Sequence, residues 1–202
     1  MKASLFKPSK FSWFSIAITA LVAFFIVAGG ARAADDKKDN AATTPPKVGD
    51  TAPDFRLPYA TQEAIHLKPE EQMALSSLRG KNVILAFYPA DWSGGCTKEV
   101  CTLRDTFAEL SKLNATVLGV SGDYVFSHQE WAKFHKLQFP LLSDHDHKIA
   151  RLYGSYNETV GFNKRTVFLI DKDGVVRYSN LEFKAGDAND YSKLKEELAK
   201  LK

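Results

Sequence analysis

The sequence predicts an α/β fold: a central mixed β-sheet flanked by helices, with a small N-terminal hairpin extension. Three observations carry this. Short apolar runs alternate with amphipathic stretches between residues 83 and 153, the pattern of strands buried on both faces and joined by helices. The last two apolar runs, Arg165 to Ile170 and Val175 to Tyr178, flank the turn sequence DKDG. That predicts a hairpin, and so an antiparallel pair within the sheet. The composition, 45% hydrophobic and 25% charged, suits a chain that buries one core rather than a disordered one.

The chain begins with a different pattern. Lys2, Lys7 and Lys10 form a positive head, an apolar run follows from Phe11 to Ala28, and GGARA places Ala31 and Ala33 in the spacing that signal peptidase reads. A signal peptide over residues 1–33 is expected. The rival is an uncleaved membrane anchor over 11–28, since a run of about 18 residues just suffices to span a bilayer. Either way the rest of the chain is expected to be exported, to a periplasmic or other extracytoplasmic space. Without residues 1–33, which carry four bases and no acid, 23 basic and 24 acidic residues remain, a net charge of −1. No run of Lys and Arg is left to suggest nucleic acid. Residues 34–47, polar with two prolines, read as a flexible linker, and residues 48–202 as one domain.

Within that domain, Asp54 to Leu67 predicts the N-terminal hairpin and Leu75 to Leu78 one helical turn. Val83 to Tyr88 is a buried strand. From Thr97 to Leu113, the apolar residues Val100, Leu103, Phe107, Leu110 and Leu113 recur at three and four, which predicts an amphipathic helix. Thr116 to Val120 is a second strand. Ser127 to Leu137 is a helix with Trp131, Phe134 and Leu137 on one side. Phe139 to Leu142 is a third strand, with Pro140 near its start or on an edge. Lys148 to Tyr153 is a short helix ended by Gly154, and Tyr191 to Leu201 is the last helix. This order is that of a thioredoxin-like fold.

The only two cysteines, Cys96 and Cys101, follow the first buried strand and a double glycine. A structural disulfide, a pair of inert buried thiols and a metal site are the bland readings. Position argues against them. A thiol that opens a helix faces free backbone N–H groups and the positive end of the helix dipole, the setting that yields a reactive thiolate. On an intact helix, residues five apart have Cα atoms roughly 8 to 9 Å apart, beyond the ~7 Å limit for a disulfide. A bond that forms and breaks, with local unwinding each time, fits this spacing better than a permanent one.

The stretch PADWSGGC, Pro89-x-x-x-Ser93-x-x-Cys96, resembles the P-x-x-x-T/S-x-x-C signature of peroxiredoxins. CTKEVC followed by LRD resembles the peroxiredoxin Q, or bacterioferritin-comigratory, branch. VGDTAPDF, LRGKNVILAFYP, GVSGD, FPLLSD and RTVFLIDKDG extend the likeness from Val48 to about Ser179. The resemblance implies a thiol peroxidase acting on hydrogen peroxide and organic hydroperoxides. Cys96 would be the peroxidatic cysteine, oxidised to sulfenic acid, and Cys101 the resolving cysteine that closes a disulfide. A thioredoxin or thioredoxin-like dithiol would reduce it. Pro89 would shield the thiolate, Ser93 would hydrogen-bond thiolate and peroxide, Arg165 would set a positive charge by the sulfur, and Glu99 would hold an arginine in place. No cofactor and no metal are implied, and a monomer is expected.

Two positions depart from the family pattern. Ser93 stands where Thr is usual, a hydroxyl without the methyl that limits its rotamers. Gly94 stands where proline is common, which leaves the reduced loop freer. Nothing in the pattern assigns Trp92 a task. His145 and His147 read as a solvated turn despite metal-like spacing, and His128 and His135 are expected to be exposed. The rival function is an exported thioredoxin-like copper chaperone or thiol–disulfide oxidoreductase. The chaperone is associated with C-x-x-x-C and the oxidoreductase with C-x-x-C, whereas this chain has C-x-x-x-x-C.

Overall fold

The structure, a computed structural model, describes residues 44–201. The signal segment and most of the linker lie outside the described residues. β1 (Arg56–Leu57), β2 (Tyr59–Ala60), β3 (Ile65–His66) and β4 (Met73–Ala74) lead through a 3-10 turn at Leu75–Leu78 into β5 (Asn82–Phe87). Then come α1 (Gly94–Lys112), β6 (Ala115–Ser121), α2 (Val125–His135), β7 (Leu141–Ser143) and α3 (Lys148–Leu152). The chain closes with β8 (Tyr156–Asn157), β9 (Phe162–Asn163), β10 (Thr166–Ile170), β11 (Val176–Asn180) and α4 (Ala188–Ala199).

Seven strands form one mixed sheet in the order β11-β10-β5-β6-β7-β2-β3. β5, β6 and β7 run parallel, as their helical crossovers require. β10 joins β5, and β2 joins β7, antiparallel. β5 is buried along its whole length and sends alternate residues to opposite faces. Ile84, Ala86 and Tyr88 pack with Val100, Leu103 and Leu110 of α1, Trp131 of α2 and Leu194 of α4. Val83, Leu85 and Phe87 pack on the other face with Leu75, Ala150 and Tyr153. Two apolar layers on one sheet explain why these strands read as continuous apolar runs.

Several expectations are corrected. α1 begins at Gly94, earlier than Thr97, because Ser93 caps it and both glycines enter the first turn. α4 covers Ala188–Ala199, with Asp187 as its cap. The N-terminal extension holds the expected hairpin and a further strand pair that was not expected. β2 and β3 make a hairpin that extends the main sheet, while β1 pairs with the distant β4. The β8–β9 pair was not foreseen: two residues on each side are too few for periodicity to mark. The end of the expected linker packs on the domain, with Pro46 buried and the Lys47 N–H donating to Asp50. No helix among the described residues is long and apolar enough to cross a membrane.

α2 shows a rotational correction. Val125, His128, Trp131 and Ala132 form its buried face, and Phe134 is 71% exposed. At 100° per residue Phe134 lies roughly 120° around the helix from His128. His128 sits at the centre of the packed face and is fully buried rather than exposed.

Candidate active site

The carboxyl end of β5 delivers a short turn, residues 88–93, and then the first turn of α1. Ser93 is the N-cap. Its hydroxyl donates to the Ala90 carbonyl at 3.1 Å and accepts from the Cys96 N–H at 3.4 Å. The serine expected to contact sulfur and peroxide is therefore engaged with backbone in this state. Pro89 lies at the start of this turn and is half-buried, while residues 92–95 are exposed and Cys96 is fully buried behind them.

Glu99 follows Cys96 by three positions and shares its helix face. Arg165 enters from the residue before β10 and reaches both. Its NH2 lies 3.3 Å from the Cys96 sulfur, and its NH1 donates to Glu99 Oε2. The planar fork of the guanidinium allows this double contact. An arginine at a strand start is ordinarily a solvated charge; here its side chain is 18% exposed and that of Glu99 1%. Burial pushes Glu99 up to about 7, against the opposing pull of Arg165, and its Oε1 has no hydrogen-bond partner among the described residues. The Glu99 charge holds Arg165 above the ordinary arginine value despite burial. Gly95 makes room for the arrangement, since a Cβ there would lie 3.3 Å from Arg165 NH2.

Cys101 lies further along the same unbroken helix and is half-buried, and both cysteines are free thiols. Its sulfur lies 3.6 Å from His135 Nδ1. Cys96, Cys101, Glu99 and Arg165 are thus gathered around the start of α1, with Cys96 and Cys101 facing different partners.

A buried polar network fixes the turn and was not foreseen. The Asp91 N–H donates to Asp123 Oδ2 at 2.8 Å. The Asp91 carboxylate receives the Tyr88 hydroxyl at 2.8 Å and the Ser127 hydroxyl at 2.7 Å, and lies 2.9 Å from His128 Nδ1. His128 Nε2 donates to the Leu142 carbonyl at 3.2 Å. Trp92, whose indole donates to Ser127 at 3.2 Å, is held at a φ of 61°. That left-handed conformation is uncommon for a bulky residue and persists only where surrounding contacts over-determine it. The signal in the sequence was the position of His128, three before Trp131 on one face of a helix. The HDH histidines turn to other partners: His145 to Tyr124 and the Gly122 carbonyl, His147 to Asn163.

A thiol held beside a fixed guanidinium, at a capped helix start, is a stabilised nucleophile. The same positive charge can balance negative charge as an O–O bond breaks.

Comparison with known proteins agrees with this chemistry. A Coxiella burnetii protein provisionally named peroxiredoxin bcp is 43% identical over 136 residues, covering 64% of this chain and 85% of that one. Peroxiredoxin Q, chloroplastic, of Oryza sativa subsp. japonica is 38% identical over 131 residues, covering 64% of this chain and 57% of that protein. Among solved structures, peroxidoxin BcpB from Mycobacterium tuberculosis superposes with a TM-score of 0.67 at 32% identity, covering 78% of this chain and 99% of the other. Enterococcus faecalis AhpC, at 24% identity and a TM-score of 0.68 over 77% of this chain and 92% of its own, shares the fold. The fold is thioredoxin-like, as the order of elements predicted. The family model of the AhpC/TSA family matches residues 48–179, and the chain belongs to that family.

Proposed function

We propose that the chain is a thiol-dependent peroxidase that uses Cys96 as peroxidatic and Cys101 as resolving cysteine. The observation that carries this is the Arg165 fork, which joins the Cys96 sulfur to the buried Glu99 at the start of α1. The Cys96 thiolate attacks one peroxide oxygen, the O–O bond breaks, and the departing alkoxide or hydroxide takes a proton. Cys96 is left as sulfenic acid. The Cys101 sulfur then displaces the sulfenic hydroxyl, and a disulfide and water result. A dithiol reductant of the thioredoxin type returns both thiols. The helical separation of the two cysteines implies that the first turns of α1 unwind for the second step. Ser93 is released to the peroxide when its cap contacts open, and Pro89 shields the sulfur.

We further propose that the chain is exported and cleaved after Ala33, which rests on the sequence of the first 33 residues, and that it is a monomer, which rests on the resemblance to the peroxiredoxin Q branch. The copper-handling reading is disfavoured by Arg165, since a guanidinium 3.3 Å from the sulfur opposes a metal cation there.

The test is peroxide consumption by the purified protein with a dithiol present, beside copper retention on the same sample. Turnover that is abolished in Cys96→Ser supports the reading. Copper retention without turnover would overturn it.

A further inference from the structure

We propose that His135 is the proton acceptor that activates Cys101 for the resolving step, a role that rests on the peroxidase reading above. Cys101 acts as a nucleophile towards the Cys96 sulfenic acid, and the thiolate rather than the thiol is the attacking form. The Arg165 fork serves Cys96. Cys101, in the second turn of α1, has a different neighbour: His135 Nδ1, 3.6 Å from its sulfur.

The surroundings make that nitrogen an acceptor. α1 presents two groups to the ring, Cys101 and Arg104. The Arg104 guanidinium donates to the His135 carbonyl at 2.8 Å and to Asp105 at 2.8 Å. Trp92 from the turn, and Trp131 and Phe134 from α2 itself, wall the ring with their aromatic faces and edges. Burial first, and the Arg104 charge second, hold His135 below the ordinary histidine range. The imidazole is therefore neutral near neutral pH. With the proton on Nε2, Nδ1 accepts the Cys101 S–H bond.

The step balances. His135 takes the thiol proton, and Cys101 leaves the helix as thiolate. Its electron pair forms the S–S bond as the S–O bond of the Cys96 sulfenic acid breaks. The departing hydroxide takes the proton back from the imidazolium, directly or through solvent, and leaves as water. The half-exposed edge of His135 permits that return.

The position also explains why His135 is held at all. Angularly it belongs to the packed face of α2 with His128 and Trp131, but it lies at the helix end, where that face meets α1 at Cys101.

The experiment follows the lifetime of the Cys96 sulfenic acid. Full-length protein receives one equivalent of hydrogen peroxide, and dimedone traps the sulfenic acid at timed intervals. His135→Ala and His135→Gln are compared with wild type; Gln accepts a hydrogen bond but not a proton. Both variants should form sulfenic acid at the wild-type rate and hold it about a hundredfold longer or more, the lower end of general-base contributions. Added imidazole should shorten that lifetime in His135→Ala, and the difference from wild type should shrink as the pH is raised. Wild-type lifetimes in both variants would overturn the proposal. So would lengthened lifetimes that imidazole and pH leave unchanged, which would mean a packing role alone. A wild-type protein that forms no sulfenic acid defeats the peroxidase reading instead, and this proposal with it.

Discussion

Arg165→Met tests the link between charge and chemistry in one side chain. Methionine keeps the apolar stem and removes the guanidinium. Two contacts are lost, one to the Cys96 sulfur at 3.3 Å and one to the buried Glu99. A hydrogen bond to a charged partner contributes about 1.5–3 kcal/mol. At 1.36 kcal/mol per decade, its loss slows the peroxide step about 10- to 150-fold. Glu99 is left without its counter-charge in a site where its side chain is 1% exposed, and breaking a buried pair costs about 3–5 kcal/mol when the surviving charge stays ionised. The variant is therefore also destabilised. The double variant Arg165→Met/Glu99→Gln separates the two effects: stability returns, and oxidation stays slow. Lys164→Ala is the control, since Lys164 points away to the Gly154 carbonyl. Thiolate absorbance against pH and the rate of the first oxidation are the assays. Oxidation of Arg165→Met as fast as that of Lys164→Ala would refute a role for Arg165 at the sulfur. Recovery of the rate in the double variant would show that Arg165 acts only by neutralising Glu99.

Other outcomes follow from the same geometry. Cys101→Ser should consume about one equivalent of peroxide and then stall with dithiol reductants; loss of the first oxidation in this variant, with retention in Cys96→Ser, would reverse the assigned roles. Glu99 binds its proton more tightly folded, at about 7, than unfolded. Its stabilising contribution is therefore complete below the unfolded value near 4.5 and is lost as pH rises through 7. Between about pH 5 and about pH 8, wild type should lose on the order of 3 kcal/mol relative to Glu99→Gln in urea unfolding, and parallel curves would contradict this. Amide hydrogen exchange across 97–104 should accelerate on disulfide formation while β5 stays protected; unchanged protection in protein proven to carry the disulfide would remove the unwinding step.

The sheet and its main helices were legible because each strand has one periodicity and each face one layer. Val83 to Tyr88 could be read as a buried strand since alternate residues enter two separate cores. What escaped were features without periodicity. β8 and β9 are two residues each, and β1 and β4 are brought together across 16 residues by pairing alone. At the site, Cys96, Glu99 and Arg165 were assigned by resemblance, and the structure brings them within contact of one another. Ser93 was assigned to sulfur and peroxide by resemblance, and its place as the cap of α1 was not read. The Asp91–His128 network and the His135–Cys101 contact were missed because a histidine on a helix is exposed by default. Only the rotation set by Trp131 turns both inward. The strain at Trp92 had no signal at all, since its φ depends on contacts that hold its neighbours, Asp91 to Asp123 in the loop after β6, and its indole to Ser127 of α2.

The claim that Cys96 and Cys101 form one redox pair is tested most directly by mapping the protein after a single equivalent of peroxide and before any reductant. Peptides prepared without reduction should show Cys96 joined to Cys101 within one chain, with two hydrogen atoms lost and both thiols gone. Cys96 accumulating as sulfenic or sulfinic acid while Cys101 remains a free thiol, or the two joined only between chains, would contradict the account.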